Sequence, residues 1–127
     1  MKNNLIKSLL FVPGHKAEYL KDLNSINCDA IVIDLEDAVP WNKKKNARKN
    51  LENFKKFSLK KNLFVRVNYD KINLEDDIKS CAKLKISSFV LPKIETSKDI
   101  KFIQKIIKKY SKFKNFSFLI LIESAKA

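Results

Sequence analysis

The chain has 127 residues, enough for one domain with its own core, and its 45% hydrophobic and 32% charged residues exclude a disordered chain. No apolar run reaches the length that crosses a bilayer. The formal net charge of +13 raises the question of phosphate binding, but of 27 basic residues only Arg48 and Arg66 are arginines, and the lysines are scattered rather than gathered in one arm. Met1 to Gly14 runs from basic to apolar like an export signal. Lys7 interrupts the apolar stretch, however, and no small-residue cleavage site follows, so the segment reads as a mature cytoplasmic start.

The first strand-like run is Leu9-Leu10-Phe11-Val12, stopped by Pro13-Gly14. Leu20, Leu23 and Ile26 or Asn27 outline a helix, after which Ala30-Ile31-Val32-Ile33 runs into Asp34. Ala47, Leu51 and Phe54 outline a second helix before the strand Leu63 to Val67. Ile78, Cys81 and Ala82 mark a third, followed by Phe89-Val90-Leu91. Ile100, Ile103, Ile106, Ile107 and Tyr110 share one stripe of a fourth, with start signals at Ser97 and Asp99, and the last strand spans Phe116 to Ile122. The strand runs are continuous rather than alternating, as in parallel strands covered on both faces. Five parallel strands in sequential order with four helices on one side are expected, an arc of an α/β barrel rather than a doubly wound sheet.

Gly14 is the only glycine, which excludes the glycine-rich phosphate loops of dinucleotide and nucleotide-hydrolase folds. Cys28 and Cys81 have neither metal-ligand nor redox spacing and read as buried thiols. His15 reads as a loop or capping residue, and Trp41, after Pro40, as packing or pocket wall.

Charged groups recur at the C-terminal ends of the strands: Asp34-Leu35-Glu36-Asp37, Arg66-Val67-Asn68, Lys93-Ile94-Glu95 and Glu123-Ser124. That end is where barrels and open α/β sheets carry their active sites, although any single acid there could cap a helix. Three carboxylates at Asp34, Glu36 and Asp37 need either solvent with Lys44 and Arg48, or a metal close by. Arg66, inside an apolar run, needs a carboxylate from the protein or from a substrate. Glu123, ending an apolar run, offers oxygen to a hard cation such as Mg2+.

Lys7-Ser-Leu-Leu-Phe-Val-Pro-Gly14, then Asp29-Ala-Ile-Val-Ile-Asp-Leu-Glu-Asp-Ala-Val39 and Lys44-x-x-Ala47-Arg48, resemble the opening of citrate lyase beta subunits. The wider group comprises malyl-CoA and citramalyl-CoA lyases and HpcH/HpaI-type aldolases. Phe64-Val-Arg-Val-Asn68, Asp76-Asp77-Ile78, Leu91-Pro-Lys-Ile-Glu95 and Ile122-Glu-Ser-Ala125 continue the resemblance in the same order.

The resemblance implies a TIM-type (β/α)8 barrel lyase that binds Mg2+ and a hydroxy-acyl thioester carried by CoA or an acyl-carrier protein. It also implies assembly as a homo-oligomer or within a lyase complex. Arg66 is similar to the arginine that holds the substrate carboxylate, and Glu123 to the glutamate that ligates Mg2+ and contacts substrate. Asp34, Glu36 and Asp37 resemble the acidic segment beside that site.

Lys7 stands where the group usually has arginine, and Asn27-Cys28-Asp29 and Ile86-Ser87-Ser88 replace its small turns before strands. The group's second metal-ligating aspartate falls after the strand that Glu123 ends, past Ala127. A complete barrel takes about 250 residues, so residues 1–127 are expected to be the N-terminal half of one barrel domain, inactive as a lyase alone. The alternatives are a pyruvate-type aldolase acting on free hydroxy-oxo acids, and a non-catalytic basic binding domain.

Overall fold

The computed structural model describes residues 5–57 and 61–127, so Met1 to Asn4 of the expected N-terminal start lie outside the described residues. Strands β1 (Leu9–Pro13), β2 (Ala30–Asp34), β3 (Asn62–Arg66), β4 (Ser88–Leu91) and β5 (Ser117–Ile120) form one sheet. All neighbours are parallel and the order is sequential, which makes the chain an arc of a TIM-type barrel. Helices α1 (Lys44–Phe57), α2 (Lys71–Lys83) and α3 (Ser97–Tyr110) connect successive strands from β2 onward.

Each helix lies where its apolar stripe requires. Ala47, Leu51 and Phe54 of α1, Leu74, Ile78 and Cys81 of α2, and Ile103, Ile106 and Ile107 of α3 are buried. They pack against Val12, Ile31, Ile33, Val65, Phe89 and Leu91 in one core. The Asp70 carboxylate caps α2 by accepting the Asn73 N–H at 3.0 Å. The Asp99 carboxylate reaches back to the Thr96 N–H at 2.9 Å, so α3 is capped at Thr96, one residue before the expected start.

The first connection departs from the expected helix. It holds a short 3-10 helix, Ala17–Lys21, followed by turns, and only Leu23 of its apolar trio is buried. Leu20, Leu23 and Ile26 recur every three residues, which is the 3-10 period rather than the α period. Local bonds then compete with helix: the Ser25 hydroxyl donates to the Asp22 carbonyl at 2.8 Å. The chain therefore has three α-helices among its described residues, not four.

Gly14 sits where β1, β2 and α1 converge. A Cβ there would lie 3.0 Å from the Asp34 carbonyl oxygen and 3.2 Å from Ala47 Cβ, too close for an unshifted side chain. Its N–H donates to that carbonyl at 2.8 Å. The lone glycine is thus a close-approach position, which lets the loop after β1 lie against the end of β2.

The face opposite the helices carries a smaller cluster of Ala30, Val32, Phe64 and Val90, flanked by half-buried Leu119 and Leu121. No helix covers it. Leu9 and Phe11 are each 41% exposed, and β1 and β5 are both open edges. Apolar surface beside unpaired edges favours association. In analytical ultracentrifugation the 127-residue chain is expected to self-associate, or in urea to unfold at low concentration. A monodisperse monomer with a cooperative, high-midpoint transition would contradict this.

Candidate active site at the strand ends

The sheet register sets the first element of the site. Asp34 ends β2 and Arg66 ends β3, and the two stand directly opposite each other. The Arg66 Nε donates to Asp34 Oδ1 at 2.8 Å and its Nη2 to Oδ2 at 2.5 Å, a two-pronged bond. Asp34 is 1% exposed and also accepts the Glu36 and Ala38 N–H groups at 2.9 and 3.0 Å. One carboxylate therefore fixes both the guanidinium and the turn that follows β2. The Asp34 hydrogen bonds hold Arg66 even more firmly in its charged form than usual, and its Cζ lies 5.3 Å from the centre of the Phe11 ring.

Glu36 is buried too. Its Oε2 accepts from Lys93 Nζ at 2.9 Å, while its Oε1 lies 3.7 Å from Arg66 Nη1 and has no hydrogen-bond partner. Burial pushes the Glu36 carboxyl above its ordinary range, against the pull of Lys93. Asp37 is held below its ordinary range, first by its hydrogen bond with Glu36 and then by Lys93 and Arg66. Lys93 adopts a left-handed backbone (φ 55°) just past β4, a conformation uncommon for a non-glycine residue.

The cations serving the acidic turn are thus Arg66 and Lys93. Lys44 and Arg48, the candidates from sequence, do something else. Buried Lys44 donates to the Leu35 and Glu36 carbonyls at 2.8 and 2.6 Å, and burial lowers its pKa. Arg48 donates to Asp77 and Asn73, each at 3.1 Å. Asp77 is fully buried; it accepts the Asn68 backbone N–H and side-chain amide, both at 2.7 Å. The same amide donates to the Leu35 carbonyl at 2.8 Å. A buried polar network therefore backs the turn at Leu35 and Glu36 from the helix side.

The structure brings Asp34, Glu36, Asp37 and Arg66 together and adds Lys93, whose sequence signals were its place at a strand end and in the Leu91–Glu95 motif. It does not bring Glu123 to them. Glu123 lies beyond β5 at the same end of the sheet, exposed and with no hydrogen bond or ion pair to any described residue. Among the described residues no three His, Cys, Asp or Glu side chains gather to hold a metal ion. For Mg2+ the fit is that of a single free carboxylate: a hard oxygen ligand of the right chemistry, one of the set such an ion needs.

Three buried side-chain polar atoms among the described residues lack hydrogen-bond partners: His15 Nδ1, Glu36 Oε1 and Ser124 Oγ. All three lie in loops that follow strands, on the rim that carries Arg66. Orphaned buried polar atoms are costly unless a ligand or water completes them.

Residues 7–127 match the HpcH/HpaI aldolase/citrate lyase family. The chain is 36% identical over 101 residues to human mitochondrial citramalyl-CoA lyase, covering 74% of this chain and 29% of that protein. It is 36% identical over 98 residues to the citrate lyase subunit beta of Leuconostoc mesenteroides subsp. cremoris, covering 73% of this chain and 32% of that one. Its fold is similar to that of a Mycobacterium tuberculosis citrate lyase beta subunit complexed with oxaloacetate and magnesium. That likeness has a TM-score of 0.73 and 22% identity, and covers 93% of this chain and 48% of that chain. The chain thus spans about a third of the length of these curated relatives and about half of that solved structure.

The network behind the turn has a pH signature. Burial raises the Asp77 carboxyl from 3.8 to about 6 despite its bonds to Asn68 and Arg48. The folded chain therefore holds this proton more tightly than the unfolded one. The stability it contributes is complete below the ordinary carboxylate range and is lost as pH rises through about 6. In thermal melts between pH 4 and 7, Asp77→Asn is expected to remove this downward component relative to wild type. Parallel pH profiles for the two proteins would contradict it.

Proposed function

The chain belongs to the HpcH/HpaI aldolase/citrate lyase family, and on that premise we propose that it forms the first half of a cytoplasmic, magnesium-dependent carbon–carbon lyase barrel. The proposed substrate is a hydroxy-acyl thioester of citryl, malyl or citramalyl type, carried on CoA or an acyl-carrier protein. Its products are a 2-oxo acid and a shorter acyl thioester. The complete barrel works as a homo-oligomer or within a lyase complex.

The observation that carries this reading is the rim itself. Arg66 is bound along its Nε–Nη2 edge by Asp34, which leaves Nη1 without a hydrogen bond at a rim where three buried polar atoms also lack partners. A guanidinium held on one side in this way presents its remaining N–H groups in a fixed direction, which suits a substrate carboxylate. Cleavage removes the proton of the substrate hydroxyl, breaks the adjacent carbon–carbon bond as that oxygen becomes the 2-oxo group, and leaves the electron pair beside the thioester carbonyl. A proton on that carbon completes the reaction. Arg66 fixes the carboxylate end throughout and Glu123 is the residue of this chain that would hold Mg2+. When bound, Mg2+ supplies a Lewis acid that offsets charge developing on oxygen.

In a protein carrying the whole barrel, Arg66→Lys keeps the charge and loses the planar fork. It is expected to lower turnover and weaken substrate binding by about 2 kcal/mol, with Mg2+ affinity nearly unchanged. Glu123→Gln is expected to weaken Mg2+ binding by roughly tenfold or more and activity with it, with partial recovery at excess Mg2+. Titration calorimetry with Mg2+ decides the ligand assignment: equal affinities in wild type and Glu123→Gln would remove Glu123 from the site. The 127-residue chain alone is expected to bind Mg2+ weakly and to show no lyase activity.

A further inference from the structure

The opposite end of the sheet carries a second feature. An open cleft of about 710 Å3 lies where the C-terminal ends of α2 and α3 meet the start of β4, lined by Lys79, Lys83, Lys85, Lys112, Tyr110 and Phe113, and by no acidic residue. Lys85 and Ser87 also line an adjoining hollow of about 230 Å3. Lys83, Lys85 and Lys112 are exposed, and their side chains have no hydrogen bond or ion pair to any described residue. Lys79 is shared between the edge of Asp76, at 3.8 Å, and the face of the Tyr110 ring, at 4.8 Å.

Lysines near helix C-termini commonly offset the free carbonyls, and Lys83, in the last turn of α2, is accounted for that way. Lys85 is not. It adopts a left-handed backbone (φ 56°) immediately after α2, where its N–H bonds the Ala82 carbonyl and the Ile86 N–H bonds the Cys81 carbonyl. That is the helix-ending motif whose left-handed position is usually glycine, because a side chain there is strained. The chain places a lysine at this position, and that residue lines both hollows.

We propose that this cleft binds a small polyphosphate anion of the nucleoside polyphosphate class. The phosphates would lie against Lys83, Lys85 and Lys112, and the ring against Tyr110 and Phe113. Ser87 and Ser88, at the start of β4, place the cleft at the end of the sheet away from Arg66. It is thus separate from the rim of the proposed lyase reaction and holds a ligand other than the lyase substrate.

The test is equilibrium binding of ATP and of tripolyphosphate to the 127-residue chain, in EDTA so that no metal takes part. Both are expected to bind with salt-dependent affinity, ATP more tightly because its ring gains the aromatic wall. Replacing Lys83, Lys85 and Lys112 by Ala is expected to weaken both by about tenfold or more, while the same replacement of exposed Lys98, Lys101 and Lys105 on α3 changes little. Lys85→Gly separates binding from folding: it relieves the left-handed backbone, so its melting temperature is expected to hold or rise while affinity falls. Failure of either anion to bind, equal losses in the two triple variants, or unchanged affinity in Lys85→Gly would each overturn the proposal. Tripolyphosphate binding as tightly as ATP would overturn the nucleoside assignment.

Discussion

Asp34 and Arg66 face each other across two adjacent parallel strands, and the rim is organised around that bond. Neither group is stable alone at this depth. Removing one partner of a buried pair leaves an uncompensated charge, at a cost of about 3–5 kcal/mol. The register that pairs Ala30 with Asn62 and Asp34 with Arg66 therefore carries more than sheet geometry, since a shift of one residue would separate the charges. The same carboxylate anchors the N–H groups of Glu36 and Ala38, so the acidic turn takes its shape from the ion pair.

The turn is held from behind by a second set of contacts. Asn68 and Lys44 both bond the Leu35 carbonyl, and Asp77 gathers Asn68 and Arg48. Backbone oxygens that would otherwise be buried and unsatisfied are thus taken up by side chains from α1 and from the segment after β3. The buried side-chain atoms without hydrogen-bond partners among the described residues all belong to the loops at the strand ends: His15 Nδ1, Glu36 Oε1 and Ser124 Oγ. Among the described residues the buried polar side chains on the helix side are hydrogen-bonded, while these three at the strand ends are not, and a site there would have polar groups still to satisfy.

The sequence shows the parts of this arrangement that depend on one segment at a time. The strand order and the stripes of α1, α2 and α3 are legible because each element buries its own apolar residues. Arg66 is conspicuous as a charge inside an apolar run. Its partner is not, because the choice between Asp34, Glu36 and Asp37 is made by strand register. Lys44 and Arg48 are assigned elsewhere than expected for the same reason: one reaches carbonyls and the other a buried acid on α2. Asp77 carried a signal, since it falls three residues after Leu74 on the stripe that α2 buries. The spacing of Leu20, Leu23 and Ile26 suggested a helix, and at a period of three it fits the tighter 3-10 turn.

Under the proposed function, Asp34 positions Arg66 for a substrate carboxylate rather than competing with one for it. Calorimetric titration of oxaloacetate in the presence of Mg2+, into wild type and Asp34→Asn proteins carrying the whole barrel and folded at the working temperature, separates these directly. If Asp34 positions the guanidinium, Asp34→Asn weakens oxaloacetate binding. If Asp34 competes, the variant frees Arg66 and binds oxaloacetate as well as or better than wild type, and that result would contradict the account.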